Sequence, residues 1–292
     1  MPADLAVIIV THNTREPALR LLDSLREDPD RARWDVLVID NDSADGGLAA
    51  IRERHPWVRT RSNVPQVGFA AAVNQGARLT DAPVVVTLNP DTIVAPGTMR
   101  RLRDELARDP RIAAVGPLIR YPDGRPQRQG QYRPRPLTAL VVLLGLADAP
   151  ILRREAERYY GRHEPGPPRD VQQLPGTCLM FRRTALEAIG GFDERFFVYC
   201  EDVDWSWRAI DAGWRLVYVP EVAIVHEKAV ASRAASSRTI RVYYTSIRLF
   251  FGKHHAARMP ALLRALWYAG SYLKEANALA ANALRREKGV RY

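Results

Sequence analysis

The sequence contains few cysteines and no long run of apolar residues. Its 292 residues include only Cys178 and Cys200, whose spacing matches no metal-binding motif, so a reduced, cytosolic protein is expected. The longest apolar run, residues 137–147, has about half of the roughly 20 residues that a membrane-spanning helix needs. The apolar segment at residues 5–10 is short and lacks a basic leader, so it is predicted to be a first strand and not a signal peptide.

Three phosphate-binding motifs are also missing. No G-x-G-x-x-G follows the first predicted strand and no Walker loop occurs, which excludes the phosphate cradles of dinucleotide-binding and P-loop proteins. The glycine-rich, arginine-containing N-terminal loop of sugar-nucleotide pyrophosphorylases is absent as well. A nucleotide ligand would therefore have to be bound by other groups.

The net charge of +10 is concentrated in the C-terminal tail. Residues 228–292 contain 13 Lys and Arg and 2 Asp and Glu, a balance of +11, which leaves −1 for residues 1–227. Because the rest of the chain is nearly neutral and carries no familiar nucleic-acid-binding signature, nucleic acid is not an expected partner. The tail also has bulky apolar residues at near-helical spacing, so two interpretations that do not exclude each other stay open: its helices lie on an anionic membrane surface, or they pack on the preceding domain.

Strand and helix patterns alternate along the first part of the chain. Apolar runs predict strands at 5–10, 35–39, 84–88 and 112–119 and a short one near Val58, and helical spacing predicts helices at 17–26, 47–54, 69–79 and 96–108. This order predicts an α/β fold with a mostly parallel sheet, flanked by helices, that binds ligands at the carboxyl ends of its strands. Residues 121–136 and 161–169 are predicted loops. The arginines of the first loop either meet a phosphate or are solvated: Arg125, Arg128, Arg133 and Arg135.

Short polar side chains end the first two predicted strands. Thr11 and Asn13 follow the first strand, and Asp40 and Asp42 follow the second. Their hydroxyl, amide and carboxylate groups suit the base and ribose of a nucleotide. For Asp42 and the neighbouring Asp45 helix capping is the favoured alternative, whereas Asp40 directly ends a buried strand and favours a ligand.

Acidic residues and a histidine also stand beside apolar segments further along the chain. Asp91 follows a predicted buried strand, and it either caps the next helix or holds a cation. Glu201, Asp202 and Asp204 form an acidic cluster, which would also suit the N-terminus of a helix. His226 ends an apolar run, where a histidine is either a core residue or a metal ligand.

Together these motifs resemble those of inverting glycosyltransferases of family 2, which have the GT-A fold, and most of all the bacterial rhamnosyltransferase-like members. The resemblance covers residues 5–227 in family order. It rests on VIIVTHN at 7–13, VIDNDS at 38–43, GFAAAVNQG at 68–76, LNPD at 88–91, GTCLM at 176–180, GGFDE at 190–194, residues 197–208 and VH at 225–226. Each motif is weak alone, and together they are specific. The family usually has Asn where this chain has Gln66.

The resemblance implies a donor site for a nucleoside diphosphate sugar. Asp91 matches the family's metal-binding carboxylate and His226 an additional ligand of Mg²⁺ or Mn²⁺, an ion that would neutralise the charge growing on the departing diphosphate. The residues predicted to bind the nucleotide sugar are Thr11, Asn13, Asp40, Asp42, Gly68, Phe69, Asn74, Asn89 and Asp91.

The resemblance also implies an acceptor site around the acidic cluster. Asp202 matches the family's catalytic base, which takes the proton of the acceptor hydroxyl, so that direct attack inverts the anomeric centre. Asp204 and Arg208 could instead form a surface ion pair, and either Trp205 or Trp207 could be a core residue. The residues predicted to bind the acceptor are Glu201, Asp204, Trp205 and Arg208.

The sequence thus predicts a GT-A domain at residues 1–230, with a nucleotide-sugar half at about 1–110 and an acceptor half at about 111–230, and a basic helical extension at 231–292. The expected donor is dTDP-L-rhamnose, with a UDP-sugar as the alternative. The expected acceptor is a polyprenyl-diphosphate-linked saccharide in cell-wall or surface polysaccharide synthesis. The enzyme is expected at the cytoplasmic face of the membrane and could be a homodimer. A non-catalytic nucleotide-sugar-binding scaffold is the other alternative.

Overall fold

The central strands form where apolar, mostly β-branched residues run consecutively. The computed structural model describes residues 3–134, 153–227 and 236–287. Within them, β1 (Leu5–Thr11), β2 (Trp34–Asp40) and β4 (Val84–Leu88) are buried along almost their whole length. Burial on both faces requires helices on both sides of the sheet, which is the layered arrangement that the alternating pattern predicts.

The remaining strands and the helices complete the described structure. The strands are β3 (Arg59–Ser62), β5 (Thr92–Val94), β6 (Ile112–Arg120), β7 (Arg169–Val171), β8 (Cys178–Arg182) and β9 (Arg215–His226). The helices are α1 (Arg15–Arg26), α2 (Gly47–Arg54), α3 (Phe69–Arg78), α4 (Thr98–Ala107), α5 (Arg153–Tyr160), α6 (Arg183–Ile189), α7 (Glu201–Asp211), α8 (Ser237–His254) and α9 (Ala261–Glu287).

The nine described strands form one sheet in the order β3-β2-β1-β4-β8-β6-β9-β5, with β7 paired to β9. Strands β1, β2, β3, β4, β6 and β9 run in one direction, and β5, β7 and β8 run against them. The prediction of a mostly parallel sheet is therefore confirmed. Apolar side chains of α1 and α4 cover one face of the sheet, and those of α3, α6 and α7 cover the other.

The sequence pattern gives no sign of β5 and β7. Each has three residues, which is too short for an alternation of apolar and polar residues to be recognised. Strand β5 stands just before the helix predicted at 96–108, which begins at Thr98 behind a left-handed Gly97 with φ 83°. Because Thr92 pairs with His226 in the ladder between β5 and β9, this short strand determines where His226 lies.

The C-terminal helices pack on each other, and α8 also packs on the sheet domain. The Phe251 ring of α8 stacks on the Trp267 ring of α9, with 3.6 Å between the ring centroids. Ser246 Oγ, also on α8, donates to the Val198 carbonyl oxygen at 2.7 Å. Of the two alternatives for the tail, packing on the preceding domain is thus observed for α8.

Some predictions fall on residues outside the described ranges. They concern Arg135 in the first predicted loop, the apolar run at 137–147, and the boundary between residues 230 and 231. The division into a catalytic domain and an extension stays a prediction.

Candidate active site

The ends of β1 and β2 bring the first predicted site residues together. Thr11 and Asp40 are partners in the parallel ladder, and Thr11 Oγ1 donates to Asp40 Oδ1 at 3.1 Å. Both residues are buried. Asp40 Oδ2 accepts from the Ser43 amide at 3.2 Å, so both oxygens of this carboxylate are anchored at the sheet edge where a ligand is expected.

Asn13 and Asp42 both have left-handed backbones, with φ 53° and 66°. The Asn13 amide donates to Ser43 Oγ at 2.9 Å, and Asn13 Oδ1 accepts from the Ala44 amide at 2.8 Å. These bonds join the segments that follow β1 and β2, and Asp42 is exposed beside them. Asp45 accepts from the first amides of α1 and α2 at 2.8 and 2.9 Å, which is the capping chemistry expected of it.

Asp91 follows β4 and does not cap a helix. The next helix, α4, begins at Thr98, and the amide of its N-cap residue Gly97 donates to Asp28 Oδ2 at 2.8 Å. The capping alternative for Asp91 is therefore wrong, and its role as a metal ligand stays a prediction. The pairing of β5 with β9 brings Asp91 Oδ1 to 3.2 Å from His226 Nε2.

Gln127 determines which nitrogen of His226 carries the proton. Gln127 Nε2 donates to the carbonyl oxygens of His226 and Arg120 at 2.7 and 3.4 Å, which sets the orientation of the amide group. Gln127 Oε1 then lies 3.0 Å from His226 Nδ1, and because an amide oxygen only accepts, Nδ1 carries the proton of the neutral ring. The lone pair of Nε2 therefore faces Asp91, as in a metal-ligating histidine.

Asp91 and His226 fit a divalent cation. A carboxylate oxygen and an unprotonated ring nitrogen at 3.2 Å are two acceptors, which a cation between them would satisfy. Adjacent ligands of an octahedral ion bound at roughly 2.1 Å lie about 3 Å apart. The described residues contain no cluster of three or more His, Cys, Asp and Glu, so oxygens of phosphate and water would complete the coordination.

Asp202 lies at the start of α7, where two backbone amides hold its carboxylate. Its Oδ2 accepts from the Gly176 amide at 2.7 Å, and its Oδ1 accepts from the Val203 amide at 2.8 Å. Burial raises the pKa of Asp202 above its ordinary value, and the amide bonds act in the opposite direction. A carboxylate with a raised pKa is a stronger base once it is ionised.

Glu201 lies buried beside the Asp202 carboxylate. Its Oε2 has no hydrogen-bond partner in the part of the chain that the structure describes. Burial, and then the charge of Asp202, raises the pKa of Glu201 well above its ordinary value. Because a buried oxygen without a partner is costly, a ligand hydroxyl at this position would gain a hydrogen bond that the protein alone leaves unmade.

Hydrogen bonds connect the Asp202 side of the site to the Asp91 side. The Asn89 amide donates to the Thr177 carbonyl oxygen at 3.0 Å, and the preceding residue, Gly176, donates to Asp202. Asn89 is separated from Asp91 by a single residue. The two carboxylates are thus brought to the same end of the sheet, although one follows a strand and the other begins a helix.

The predicted donor-site residues of α3 and its N-cap hold two segments together. A Cβ atom at Gly68 would lie 2.8 Å from the Phe197 backbone, so only glycine allows this close approach. The Phe69 amide donates to the Phe197 carbonyl oxygen. Asn74 Oδ1 accepts from the Phe192 amide at 2.9 Å, and Asn74 Nδ2 donates to the Phe192 carbonyl oxygen at 2.8 Å. These residues position the segment before α7, and their contact with a donor stays a prediction.

Protein contacts occupy three of the four residues predicted to bind the acceptor. Trp205 is 0% exposed, and its Nε1 donates to the Gly190 carbonyl oxygen at 3.0 Å. Asp204 is also 0% exposed, with Arg208 Nε 2.9 Å from its carboxylate. Arg208 donates further to the Ile189 carbonyl oxygen at 2.8 Å. The acceptor role is therefore corrected for these three: Trp205 is a core residue, and Asp204 and Arg208 form the ion pair, which is buried and not on the surface.

Two arginines of the first predicted loop pair with carboxylates of the protein itself. Arg125 Nη2 lies 2.8 Å from Asp123 Oδ2, and Arg133 Nη1 lies 2.8 Å from Asp211 Oδ1. For these two residues, pairing within the protein replaces the phosphate contact that was one of the two alternatives.

Gln127 and Gly176 are site residues that the sequence does not single out. Gln127 belongs to a predicted loop that also contains Gln129 and Gln131, and nothing in its neighbours distinguishes it. Gly176 belongs to one of the family motifs, but it contributes a backbone amide, which almost any residue carries. The signal that could have found Gly176 was its place at the start of the GTCLM motif at 176–180.

Comparison with known proteins decides the family. A profile described as Glycosyl transferase family 2 matches residues 6–190, and one described as Glycosyl transferase family group 2 matches residues 160–280. The chain belongs to glycosyltransferase family 2. A curated relative, N-acetylglucosaminyl-diphospho-decaprenol L-rhamnosyltransferase of Mycobacterium tuberculosis, is 33% identical to this glycosyltransferase, over 97% of this chain and 95% of the relative. Rhamnosyltransferase WbbL of Escherichia coli is 34% identical over 26% of this chain and 29% of that protein.

Solved enzymes share the fold of this glycosyltransferase. A mannosyltransferase from Pyrobaculum calidifontis in complex with GDP-Man and Mn²⁺ matches with a TM-score of 0.59 at 22% identity, over 98% of this chain and 76% of that one. GalNAc-T7 with UDP, GalNAc and Mn²⁺ matches with a TM-score of 0.62 at 17% identity, over 92% of this chain and 54% of that one. The predictions of a GT-A fold and of a glycosyltransferase are thereby confirmed.

Proposed function

We propose that this glycosyltransferase moves L-rhamnose from dTDP-L-rhamnose onto the N-acetylglucosamine of a polyprenyl-diphosphate-linked acceptor. The observation that carries the proposal is the 33% identity, over 97% of the chain, to a relative whose name contains that sugar and that kind of acceptor. The resemblance of the sequence motifs to rhamnosyltransferase-like members favours the same substrates. The product would belong to the assembly of a cell-wall or surface polysaccharide.

Asp202 supplies the base that this transfer needs. The acceptor hydroxyl must lose its proton as its oxygen bonds to the anomeric carbon, while the bond from that carbon to the diphosphate breaks. Attack from the side away from the leaving group inverts the anomeric centre. The Gly176 and Val203 amides orient the Asp202 carboxylate, and its raised pKa strengthens it as a base.

On the donor side, Asp91 and His226 would hold Mg²⁺ or Mn²⁺ beside the diphosphate. When bound, the ion would neutralise negative charge on the leaving group. The nitrogen ligand favours Mn²⁺ somewhat over Mg²⁺, and two enzymes with the same fold were solved with Mn²⁺. Thr11 and Asp40, hydrogen-bonded at the ends of β1 and β2, would meet the base and ribose.

A transfer assay with the Asp202→Asn variant tests the proposal. The wild-type enzyme should convert dTDP-L-rhamnose and a short-chain polyprenyl diphospho-N-acetylglucosamine into a rhamnosylated product. Asp202→Asn should lose at least about 100-fold in kcat but keep donor binding, measured as the rise in melting temperature with dTDP-L-rhamnose and Mn²⁺. The control is Asp123→Asn, which changes an exposed carboxylate paired with Arg125.

Near-normal turnover by Asp202→Asn would remove the proposed base. Transfer from a UDP-sugar, without transfer from dTDP-L-rhamnose, would keep the enzyme class and change the donor. A panel of nucleoside diphosphate sugars in the same melting assay separates these outcomes, because a bound donor stabilises the folded state.

We further propose that α9 rests on an anionic membrane surface, where a lipid-linked acceptor would lie. None of the helices in the described ranges could span a bilayer. Helix α9 instead exposes leucines that are each between 53% and 72% accessible: Leu262, Leu263, Leu266, Leu273 and Leu284. Such side chains enter the boundary between headgroups and acyl chains, and the basic residues of the tail add attraction to anionic lipids.

Vesicle flotation tests this placement of α9. Wild-type protein should float with vesicles that contain phosphatidylglycerol, and a combined change of Leu262, Leu266 and Leu273 to glutamine should release it. The melting temperature should stay the same, because these side chains contact solvent. Continued flotation of the triple variant would reject the membrane contact. Conversion of a dimer into a monomer would assign the leucines to a second copy of the chain instead.

A further inference from the structure

Just before the proposed base, the chain makes a turn in which two residues adopt an unfavourable backbone conformation. Tyr199 and Cys200 both have left-handed backbones, with φ 73° and 68°, although neither is glycine. Two consecutive residues of this kind are uncommon, and they persist only where surrounding contacts determine the conformation. Because the turn leads directly into Glu201, its shape decides how the Tyr199 ring and the Asp202 carboxylate are placed relative to each other.

Helix α8 holds this turn in place. Ser246 Oγ, on a residue that is 3% exposed, donates to the Val198 carbonyl oxygen at 2.7 Å. Further along α8, Lys253 Nζ and His254 Nε2 lie 2.7 and 2.8 Å from Asp204 Oδ1 in the first turn of α7. The turn is thus fixed before and after by a helix whose contacting residues come 48 to 50 positions later in the sequence.

The same helix places an aromatic ring beside the turn. The Tyr243 ring packs edge-on against the Tyr199 ring, with 5.5 Å between the centroids. Both residues are open to solvent, at 43% and 36% exposure. Burial of its hydroxyl and then the nearby Cys200 raise the pKa of Tyr243 to about 12, and Tyr160 at the end of α5 also contributes. Two tyrosines from separate elements therefore pack against each other beside the turn.

Two further tyrosines lie side by side in α5. The Tyr159 ring adjoins the Tyr160 ring, with 4.9 Å between the centroids. Burial raises the pKa of Tyr159 to about 12, and the charge of Asp202 is among the further causes. The proposed base itself is three residues from Tyr199 in the chain.

We propose that Tyr199 and Tyr243 form a subsite that stacks against a pyranose ring of the acceptor. One face of a sugar ring presents C–H groups, which pack on aromatic rings while the hydroxyls keep their hydrogen bonds. Because α8 holds the turn at Tyr199 and Cys200 in place, the aromatic rings lose little conformational freedom when a sugar binds, and this favours affinity. The subsite rests on the proposed function, because it requires a saccharide acceptor at Asp202.

Equilibrium binding of a short-chain polyprenyl diphospho-N-acetylglucosamine, measured by calorimetry with dTDP present, tests the subsite. Tyr243→Ala should weaken this binding roughly tenfold, the loss expected for one well-packed contact, and Tyr243→Phe should stay within about twofold of wild type. Tyr272→Ala is the matched control, because this exposed tyrosine of α9 packs against Arg248, whose Cζ lies 4.2 Å from the ring centroid. All three variants should show the wild-type rise in melting temperature with dTDP-L-rhamnose.

Wild-type acceptor affinity in Tyr243→Ala would overturn the subsite, and so would an equal loss in Tyr272→Ala. If Tyr243→Ala melts early, Tyr243→Leu takes its place, because leucine fills much of the same space without a flat ring. Failure of the proposed function has a different signature: the wild-type enzyme would bind the acceptor, and Tyr243→Ala would weaken that binding, but no rhamnose would be transferred.

Discussion

Removing the side-chain amide of Gln127 should weaken the binding of a divalent cation. Gln127 is 2% exposed, and it holds His226 through the ring nitrogen Nδ1 at 3.0 Å and the carbonyl oxygen at 2.7 Å. Gln127→Leu roughly keeps the side-chain volume but leaves Nδ1–H unpaired, so the ring is free to rotate or to change tautomer. Loss of such a partner typically costs about 10- to 100-fold in metal affinity, which corresponds to about 1.4–2.7 kcal/mol.

The assay for Gln127→Leu is a calorimetric titration of the full-length chain with Mn²⁺, which needs no substrate. Gln129→Leu is the control, because Gln129 lies in the same loop and its hydrogen bonds to His163 come from the backbone. The dissociation constant for Mn²⁺ should rise in Gln127→Leu and not in Gln129→Leu. Equal Mn²⁺ affinity in wild type and Gln127→Leu would refute the role given to Gln127. No Mn²⁺ binding by the wild-type chain would refute the cation site itself.

Three further predictions concern the acidic cluster of α7. Burial raises the pKa of Glu201, so the folded state loses stability as the pH rises from the ordinary pKa of a glutamate towards that raised value. Glu201→Gln should therefore raise the melting temperature at about pH 8 and change it little near pH 4, and an equal shift at both would contradict this. Asp204→Asn should lower the free energy of unfolding in urea by about 3–5 kcal/mol, because a wholly buried carboxylate with Lys253 and His254 as partners is removed. Burial alone would raise the pKa of Asp204, but these partners hold it below its ordinary value. The difference in the free energy of unfolding between wild type and Asp204→Asn should therefore shrink below about pH 4. In the wild type kcat/KM should rise with pH along an acid limb above about pH 4, since Asp202 with its raised pKa must be ionised to act as a base, and a flat profile would argue against it.

The positions of the predicted donor-side residues follow largely from the sequence, because these residues belong to local patterns. Asp40 ends a run of buried β-branched residues, and Asp91 comes three residues after another. The end of a strand determines the place of a side chain in an α/β sheet before any tertiary contact is known. The strand at 84–88 and the helix at 47–54 agree with the structure at both ends. The register of β1 with β2 then places Thr11 beside Asp40.

The acceptor side could not be predicted in the same way. The four-residue spacing of Asp204 and Arg208 predicts an ion pair, but the residue that covers it, His254, comes 50 positions after Asp204. Gln127 likewise acts on His226 across 99 residues of sequence. Contacts of this kind depend on tertiary packing, so the local periodicity of the sequence does not predict them.

The two sides of the site are therefore held in place by different parts of the structure, and substitutions in these parts should differ in how much they destabilise the fold. Thr11 and Asp91 follow strands of the central sheet, where a change disturbs the buried core that both layers of helices share. The turn at Tyr199 is held by α8 through the Ser246 hydrogen bond, the Tyr243 ring and the contacts of Lys253 and His254 with Asp204. Substitutions on α8 can thus reshape the acceptor side while the sheet and the donor side persist. Differences in acceptor among enzymes built on this sheet should accordingly be found in the C-terminal helices and the turn before α7, and differences in donor at the strand ends.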